Sequence, residues 1–126
     1  MGYYARGSGS IRFRRYLTQE DRDAVGGLLD DAWFEHEFFG PCSTEAAVTG
    51  ADIWFDGKYR DDDVTTLLER ILTYAPVEEG AVEFSGEDGE FWRYLYDTEK
   101  NHWRYQYGFI TWTDPKSPSS EAYNGS

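Results

Sequence analysis

Residues 81–112 read AVEFSGEDGEFWRYLYDTEKNHWRYQYGFITW, and this segment gives the clearest indication of the fold. Short segments in which aromatic and polar residues alternate are separated by two turn signals, a pattern typical of an antiparallel β-meander. We predict turns at residues 86–89 and 97–101, and strands at residues 81–84, 90–96 and 102–112. Trp92, Tyr94 and Tyr96 share one face of the second strand, and Trp103, Tyr105, Tyr107 and Phe109 share one face of the third.

Two amphipathic helices are predicted upstream of the meander. The clearer one begins at Asp61-Asp62-Asp63, where negative charge complements the helix dipole, and ends before Pro76. Its apolar positions recur at helical spacing: Val64, Leu67, Leu68, Ile71, Leu72 and Ala75. The earlier helix follows Thr18 as its capping residue, and its stripe consists of Ala24, Val25, Leu28, Leu29 and Ala32.

The remaining segments complete an α+β pattern. Residues 1–10 are rich in Gly, Ser and Tyr and are predicted to be flexible, and residues 11–16 form a short strand. One or two strands are predicted within residues 45–55, before a tight turn at Asp56-Gly57, whereas residues 33–39 fit either a helix end or an extended segment. We predict one domain over residues 1–112, with two helices on one face of an antiparallel sheet of about four to five strands, and a disordered tail over residues 113–126.

Charge is the strongest functional signal in the composition. The chain has 126 residues, 24 of them acidic and 12 basic, for a net charge of −12. The first 15 residues carry four arginines and no acid, whereas residues 16–99 carry 22 acidic and five basic residues. Because such an anionic body repels nucleic acid and anionic membranes, we expect a basic protein partner, no membrane association and no direct binding of nucleic acid.

No group of catalytic or metal-binding residues stands out. The single cysteine, Cys42, and the histidines, His36 and His102, lack the ligand spacing of a zinc site. Asp61-Asp62-Asp63 lacks the glycine and terminal glutamate of a calcium loop. We therefore expect no cofactor and no enzymatic activity, with a small hydrolase as the least favoured alternative. The chain also shows no signal peptide and no membrane span, which favours a cytoplasmic protein.

Two binding surfaces and one simpler explanation follow from these patterns. The acidic residues favoured for partner binding are Asp61, Asp62, Asp63, Glu87, Asp88 and Glu90. Carboxylates on a rigid scaffold imitate phosphates and occupy the basic groove of a nucleic-acid-binding protein. The alternative is an exposed aromatic sheet face that binds a peptide or a single strand through Trp92, Tyr94, Trp103 and Tyr105. The simpler explanation is an acidic surface that serves solubility alone.

A resemblance bears on these alternatives. The opening Met1-Gly2-Tyr3-Tyr4, together with Gly86-Glu87-Asp88, Trp92-Arg93-Tyr94 and Ile110-Thr111-Trp112, resembles small uncharacterised proteins encoded by actinobacteria and their phages. The resemblance implies a phage or mobile-element context, in which small acidic proteins are often inhibitors of host defence, but it transfers no functional residue. It favours a DNA-mimic-like inhibitor in the host cytoplasm, such as an anti-CRISPR or anti-restriction protein.

Overall fold

The computed structural model describes residues 3–40 and 47–109. The predicted tail over residues 113–126, residues 110–112 and Cys42 lie outside the described residues. The elements are β1 (Tyr3–Leu17), α1 (Gln19–Asp31), β2 (Glu35–Phe39), β3 (Val48–Tyr59), α2 (Asp61–Tyr74), β4 (Val77–Gly86), β5 (Glu90–Asp97) and β6 (His102–Phe109).

Six strands form one antiparallel sheet in the order β2-β3-β1-β4-β5-β6. The α+β class is confirmed, and the strand number exceeds the predicted four to five. Strands β4, β5 and β6 form the predicted meander, and β1 lies at the centre between β3 and β4. Helix α2 connects β3 to β4, which lie on either side of β1. Both strands are antiparallel to β1 and therefore parallel to each other, so the chain between them has to cross over.

The prediction of a flexible segment over residues 1–10 is wrong for residues 3–10. They belong to the central strand and pair with β3 on one side and β4 on the other. The small residues are required there by close packing: a Cβ on Gly7 would lie 2.4 Å from the ring of Phe84, and one on Gly9 would lie 2.1 Å from the carbonyl oxygen of Ala81. The glycine-rich composition thus creates space for an aromatic ring across β1.

The predicted tight turn at Asp56-Gly57 is also wrong. Strand β3 runs without interruption from Val48 to Tyr59, and Asp56 and Gly57 pair with Arg6 and Ala5 of β1. Long-range pairing along the whole of β1 outweighs the local turn preference of two residues. The ambiguous segment 33–39 resolves into an extended strand after Trp33, whose backbone is left-handed with φ of 65°.

The two helices pack on one face of the sheet, as predicted. The hydroxyl oxygen of Thr18 accepts a hydrogen bond from the backbone N–H of Asp21 at 3.1 Å, which confirms the capping residue of α1. Helix α2 lacks a side-chain cap, and Asp61, Asp62 and Asp63 occupy its first turn. The buried helical residues are Val25, Gly26, Leu28 and Leu29 of α1, and Val64, Leu67, Leu68 and Ile71 of α2.

We call the sheet surface under the helices the covered face and the opposite surface the open face. Phe84 is the centre of the covered face, 1% exposed, and its ring contacts those of Phe34, Phe55, Tyr59, Trp92 and Tyr94 at centroid distances of 4.9–6.4 Å. The buried residues form one hydrophobic cluster. Neither helix of the described ranges is long and apolar enough to cross a membrane.

Candidate functional site

The sheet topology brings the two predicted acidic segments to the same end of the molecule. Tyr3 at the start of β1 pairs with Tyr59 at the end of β3, and α2 begins directly afterwards with Asp61. Ala5 of β1 pairs with Gly86 at the end of β4, so the β4–β5 turn lies at the same end. We call this surface the acidic end: Asp61, Asp62, Asp63, Glu87, Asp88 and Glu90.

Most carboxylates of the acidic end form no ion pair with a described residue. Their side chains are exposed except that of Glu90, which is partly buried. Asp63 lies 3.8 Å from the guanidinium of Arg60, and within residues 3–40 and 47–109 no ion pair joins Asp61, Asp62, Glu87 or Asp88. The described part of the chain therefore leaves net negative charge at this end.

The arginines of β1 are engaged elsewhere. Arg6 pairs with Asp56 at 3.7 Å, Arg12 pairs with Glu79 at 3.6 Å and Arg15 pairs with Asp21 at 2.9 Å. All three carboxylates are outside the acidic end. The basic first strand thus neutralises the open face and the start of α1 rather than the residues predicted to bind a partner.

Glu90 differs from its acidic neighbours because its oxygens hold the β4–β5 hairpin against two other strands. The hydroxyl of Tyr3 donates to Oε1 of Glu90 at 2.6 Å, and the hydroxyl of Tyr107 donates to Oε2. These hydrogen bonds favour the carboxylate and lower the pKa of Glu90 below its usual value. The hydrogen bond between Tyr107 and Glu90 also raises the pKa of Tyr107 to about 12. Glu90 is therefore both a charge of the acidic end and a structural link.

The predicted aromatic binding face is wrong for two of its four residues. Trp92 is 5% exposed and Tyr94 is 3% exposed, because both lie on the covered face beneath the helices. The hydroxyls of Tyr94 and Tyr59 form a buried hydrogen bond of 2.7 Å. Trp103 is partly buried, and Tyr105 is half-exposed at 51%. Tyr105 pairs with Tyr94, so its ring lies on the same face of the sheet as Tyr94.

Trp103 and Tyr105 instead form one wall of a groove beside α2. This aromatic groove has a volume of about 260 Å³ and is lined by Asp61, Thr65, Leu68, Glu69, Tyr94, Trp103 and Tyr105. The indole N–H of Trp103 donates to the carbonyl oxygen of Leu68 at 3.1 Å and so ties β6 to the helix. The groove adjoins the acidic end through Asp61.

The open face carries aromatic residues that the sequence reading did not select. Trp33, Trp54 and Phe91 line a shallow depression of about 740 Å³ whose lining also includes Ser8 and Ser85. Trp54 is 43% exposed and Phe91 is 40% exposed. Alternation with the buried Ile53 and Phe55 was the signal that could have placed Trp54 on the opposite face.

Neither the metal-binding side chains of the described residues nor the comparisons with known proteins assign an established activity. In the two described ranges, no group of three or more His, Cys, Asp or Glu residues is arranged to hold a metal ion. No protein-family model, curated protein or solved structure matches the chain.

Proposed function

We propose that this chain is a non-enzymatic binding protein that docks through its acidic end onto a basic surface of another protein. The observation that carries this proposal is the convergence of Asp61–Asp63 with Glu87 and Asp88, two segments far apart in sequence, without neutralisation by the arginines of β1. The basic surface we favour is the nucleic-acid-binding groove of a host defence protein. The chain would then act as a DNA mimic, as anti-CRISPR and anti-restriction inhibitors do.

Electrostatics supports docking at this surface. Unpaired carboxylates at one end of a molecule steer a basic partner toward that end and raise the association rate, an effect that salt screens over about 8 Å at physiological ionic strength. The half-exposed rings of Tyr105 and Tyr107 lie beside these charges. Tyrosines of this kind often supply the slow dissociation that surface charge alone does not provide.

The test is capture of partners from an actinobacterial lysate, with the retained proteins identified and then challenged with double-stranded DNA. We expect a basic nucleic-acid-binding protein that is retained at low salt, lost at high salt and displaced by DNA. The variant Asp61→Asn/Asp62→Asn/Asp63→Asn is expected to reduce its retention at least about tenfold, since each exposed pair contributes up to ~1 kcal/mol.

The matched control removes the same charge from another surface. Glu35→Gln/Glu37→Gln/Asp52→Asn changes three carboxylates on β2 and β3, on the open face. We expect this variant to retain the partner nearly as well as the original chain. If both variants lose retention of the partner equally, the effect depends on net charge and not on the acidic end. A retained protein that DNA does not displace would contradict DNA mimicry.

A second candidate is peptide binding on the open face, favoured by the depression between Trp54 and Phe91. Small side chains at Ser8 and Ser85 leave the two rings projecting above the sheet. The nearby Glu35 disfavours a phosphate backbone, so a peptide is preferred to single-stranded nucleic acid. A peptide-array screen should then lose its hits with Trp54→Ala and keep them with Tyr105→Leu. Binding of oligo-dT would reverse the preference for peptide.

A further inference from the structure

We infer that the aromatic groove between α2 and β6 receives an arginine side chain of the basic partner. The inference rests on the proposed function and specifies how one cationic residue would be held. It is carried by three properties of the groove: its fixed aromatic walls, its two carboxylates and the lack of a Lys or Arg among the described residues that line it.

The walls of the aromatic groove are held in place before any ligand binds. Trp103 is fixed by its hydrogen bond to the carbonyl oxygen of Leu68 and by an edge-to-face contact with Tyr96 at 5.4 Å between ring centroids. Tyr105 packs against the buried ring of Tyr94 at 5.3 Å. A ligand entering this groove therefore meets a prearranged ring surface and orders few side chains.

Two exposed carboxylates from the same helix line the aromatic groove. Asp61 lies in the first turn of α2 and Glu69 lies two turns later. Within residues 3–40 and 47–109 neither forms an ion pair, and no Lys or Arg is among the residues lining the groove. The negative field is also sensed by Tyr105, whose pKa is raised by burial and then by the charges of Asp61 and Glu90.

The opposite flank of α2 differs from the aromatic groove because basic residues line it as well as acidic ones. It is larger, about 830 Å³, and Lys58, Arg60 and Arg70 line it together with acidic residues that include Asp62 and Asp63. One of its carboxylates, Asp63, lies 3.8 Å from the guanidinium of Arg60. Charge complementarity to a basic partner therefore points to the aromatic groove rather than to this flank.

Arginine fits the aromatic groove better than lysine does. Its guanidinium is planar, stacks on Trp and Tyr rings and donates two parallel hydrogen bonds to a carboxylate. The lysine ammonium is a compact, strongly hydrated charge, so it loses more hydration on entering a groove with an apolar floor. A volume of about 260 Å³ admits one such long side chain and not a folded segment.

The test is an NMR titration of the full ¹⁵N-labelled chain with N-acetyl-arginine amide and, separately, N-acetyl-lysine amide. We expect saturable shifts of the Trp103 indole N–H and of the amides of Glu69 and Tyr105, with arginine bound at least about threefold more tightly. Equal affinities, or arginine shifts centred on the opposite flank of α2, would overturn the inference.

Single variants with the same charge change separate the groove from the rest of the surface. Glu69→Gln should weaken arginine binding about threefold to fivefold, whereas Glu37→Gln, an exposed residue of β2 on the open face, should leave it unchanged within about 1.5-fold. Tyr105→Leu, a surface change, should also weaken binding. If Glu69→Gln and Glu37→Gln weaken binding equally, the effect is a general one of charge and the groove has no special role.

The test also covers the chain's own Lys116, which is outside the described residues, as an alternative occupant. If it fills the aromatic groove, Lys116→Ala will shift the Trp103 indole N–H without any added ligand, and the inference fails; we expect no such shift. Failure of the groove is distinguishable from failure of the proposed function. Glu69→Gln keeps all six residues of the acidic end, so an intact salt-sensitive capture with that variant, combined with no arginine preference, would refute the groove alone.

Discussion

Trp54 and Trp92 lie in the same sheet, yet Trp54 is 43% exposed and Trp92 is 5% exposed. The difference comes from the two faces on which they lie. Trp54 projects from β3 onto the open face, whereas Trp92 projects from β5 into the ring cluster around Phe84. Residue type is identical in the two positions, so exposure is decided by strand register and by which face the helices cover.

The two faces also differ in what they contribute to stability. Each ring on the covered face that is removed from water stabilises the fold by roughly 1.5–3 kcal/mol. The open face is held by ion pairs such as Arg12–Glu79, whose side chains are 57% and 71% exposed. Exposed pairs of this kind contribute about 0–1 kcal/mol. Substitutions on the open face and at the acidic end should therefore cost little stability and can be selected for partner binding, whereas the covered face is constrained by packing.

Phe84→Ala should cause the largest loss of stability among the variants that compare the two faces. The ring is buried among five others, so its removal is expected to cost about 3–5 kcal/mol in the free energy of unfolding, measured by urea denaturation. Phe91→Ala is the matched control, because it removes the same side chain from the open face of β5 and should cost less than about 1 kcal/mol. Similar losses for both would mean that the faces do not differ as described.

Gly9→Ala tests the close packing along β1. The added methyl would meet the backbone of Ala81 and Val82 at 2.1 and 2.6 Å, so we expect a loss of about 1–3 kcal/mol. The control Gly27→Ala places the same methyl on α1 where nothing lies within 4 Å, and it should stabilise the protein by about 0.5–1 kcal/mol. Thermal unfolding should show opposite shifts, and a neutral Gly9→Ala would contradict the tight contact.

The Tyr59–Tyr94 hydrogen bond is a buried polar contact within the covered face. Tyr94→Phe should cost about 1–2 kcal/mol, because the hydroxyl of Tyr59 then loses its partner at a buried position. The double variant Tyr59→Phe/Tyr94→Phe should cost less than the sum of the two single changes, since both polar groups are removed together. Additive losses in a double-mutant cycle would show that the two hydroxyls do not interact.

Glu90→Gln should have the smallest effect on stability and the clearest effect on titration. Glu90 raises the pKa of Tyr107 to about 12 and also raises the pKa of Tyr3, so spectrophotometric titration should show both phenols moving down toward the ordinary value of 10.0 in the variant. Because folding lowers the pKa of Glu90, its contribution is present above the unfolded value near 4.5 and is lost as pH falls through the folded pKa. The acid side of the stability profile should therefore flatten in the variant, and an unchanged phenol titration would contradict the bond.

Much of the secondary structure was predictable because its signals are local. The alternation in residues 90–96 correctly places Phe91 opposite Trp92, and the spacing from Val64 to Ile71 correctly gives the buried stripe of α2. The capping role of Thr18 is equally local and is confirmed. Each of these patterns depends on neighbours within a few residues, so no knowledge of distant pairing is needed.

The candidate sites were less predictable. The acidic residues favoured for partner binding lie at the surface, with Glu90 partly buried, and their role stays a prediction, whereas Trp92 and Tyr94 were wrongly expected on an exposed face. Both faces of β5 carry rings, so alternation alone does not say which face the helices cover. Glu69, which lines the aromatic groove, was not selected, because only the packing of α2 beside β6 brings it near Tyr105.

Local sequence patterns were enough to predict the α+β class, the meander, both helices and the excess of negative charge. The central position of residues 3–10, the choice of covered face and the meeting of two acidic segments at one end became visible only in the folded chain. The physical reason is the range of the interactions. Periodicity and capping act over a few residues, whereas the register of Tyr3 with Tyr59 and the space that Gly7 leaves for Phe84 are set by partners more than 50 residues away.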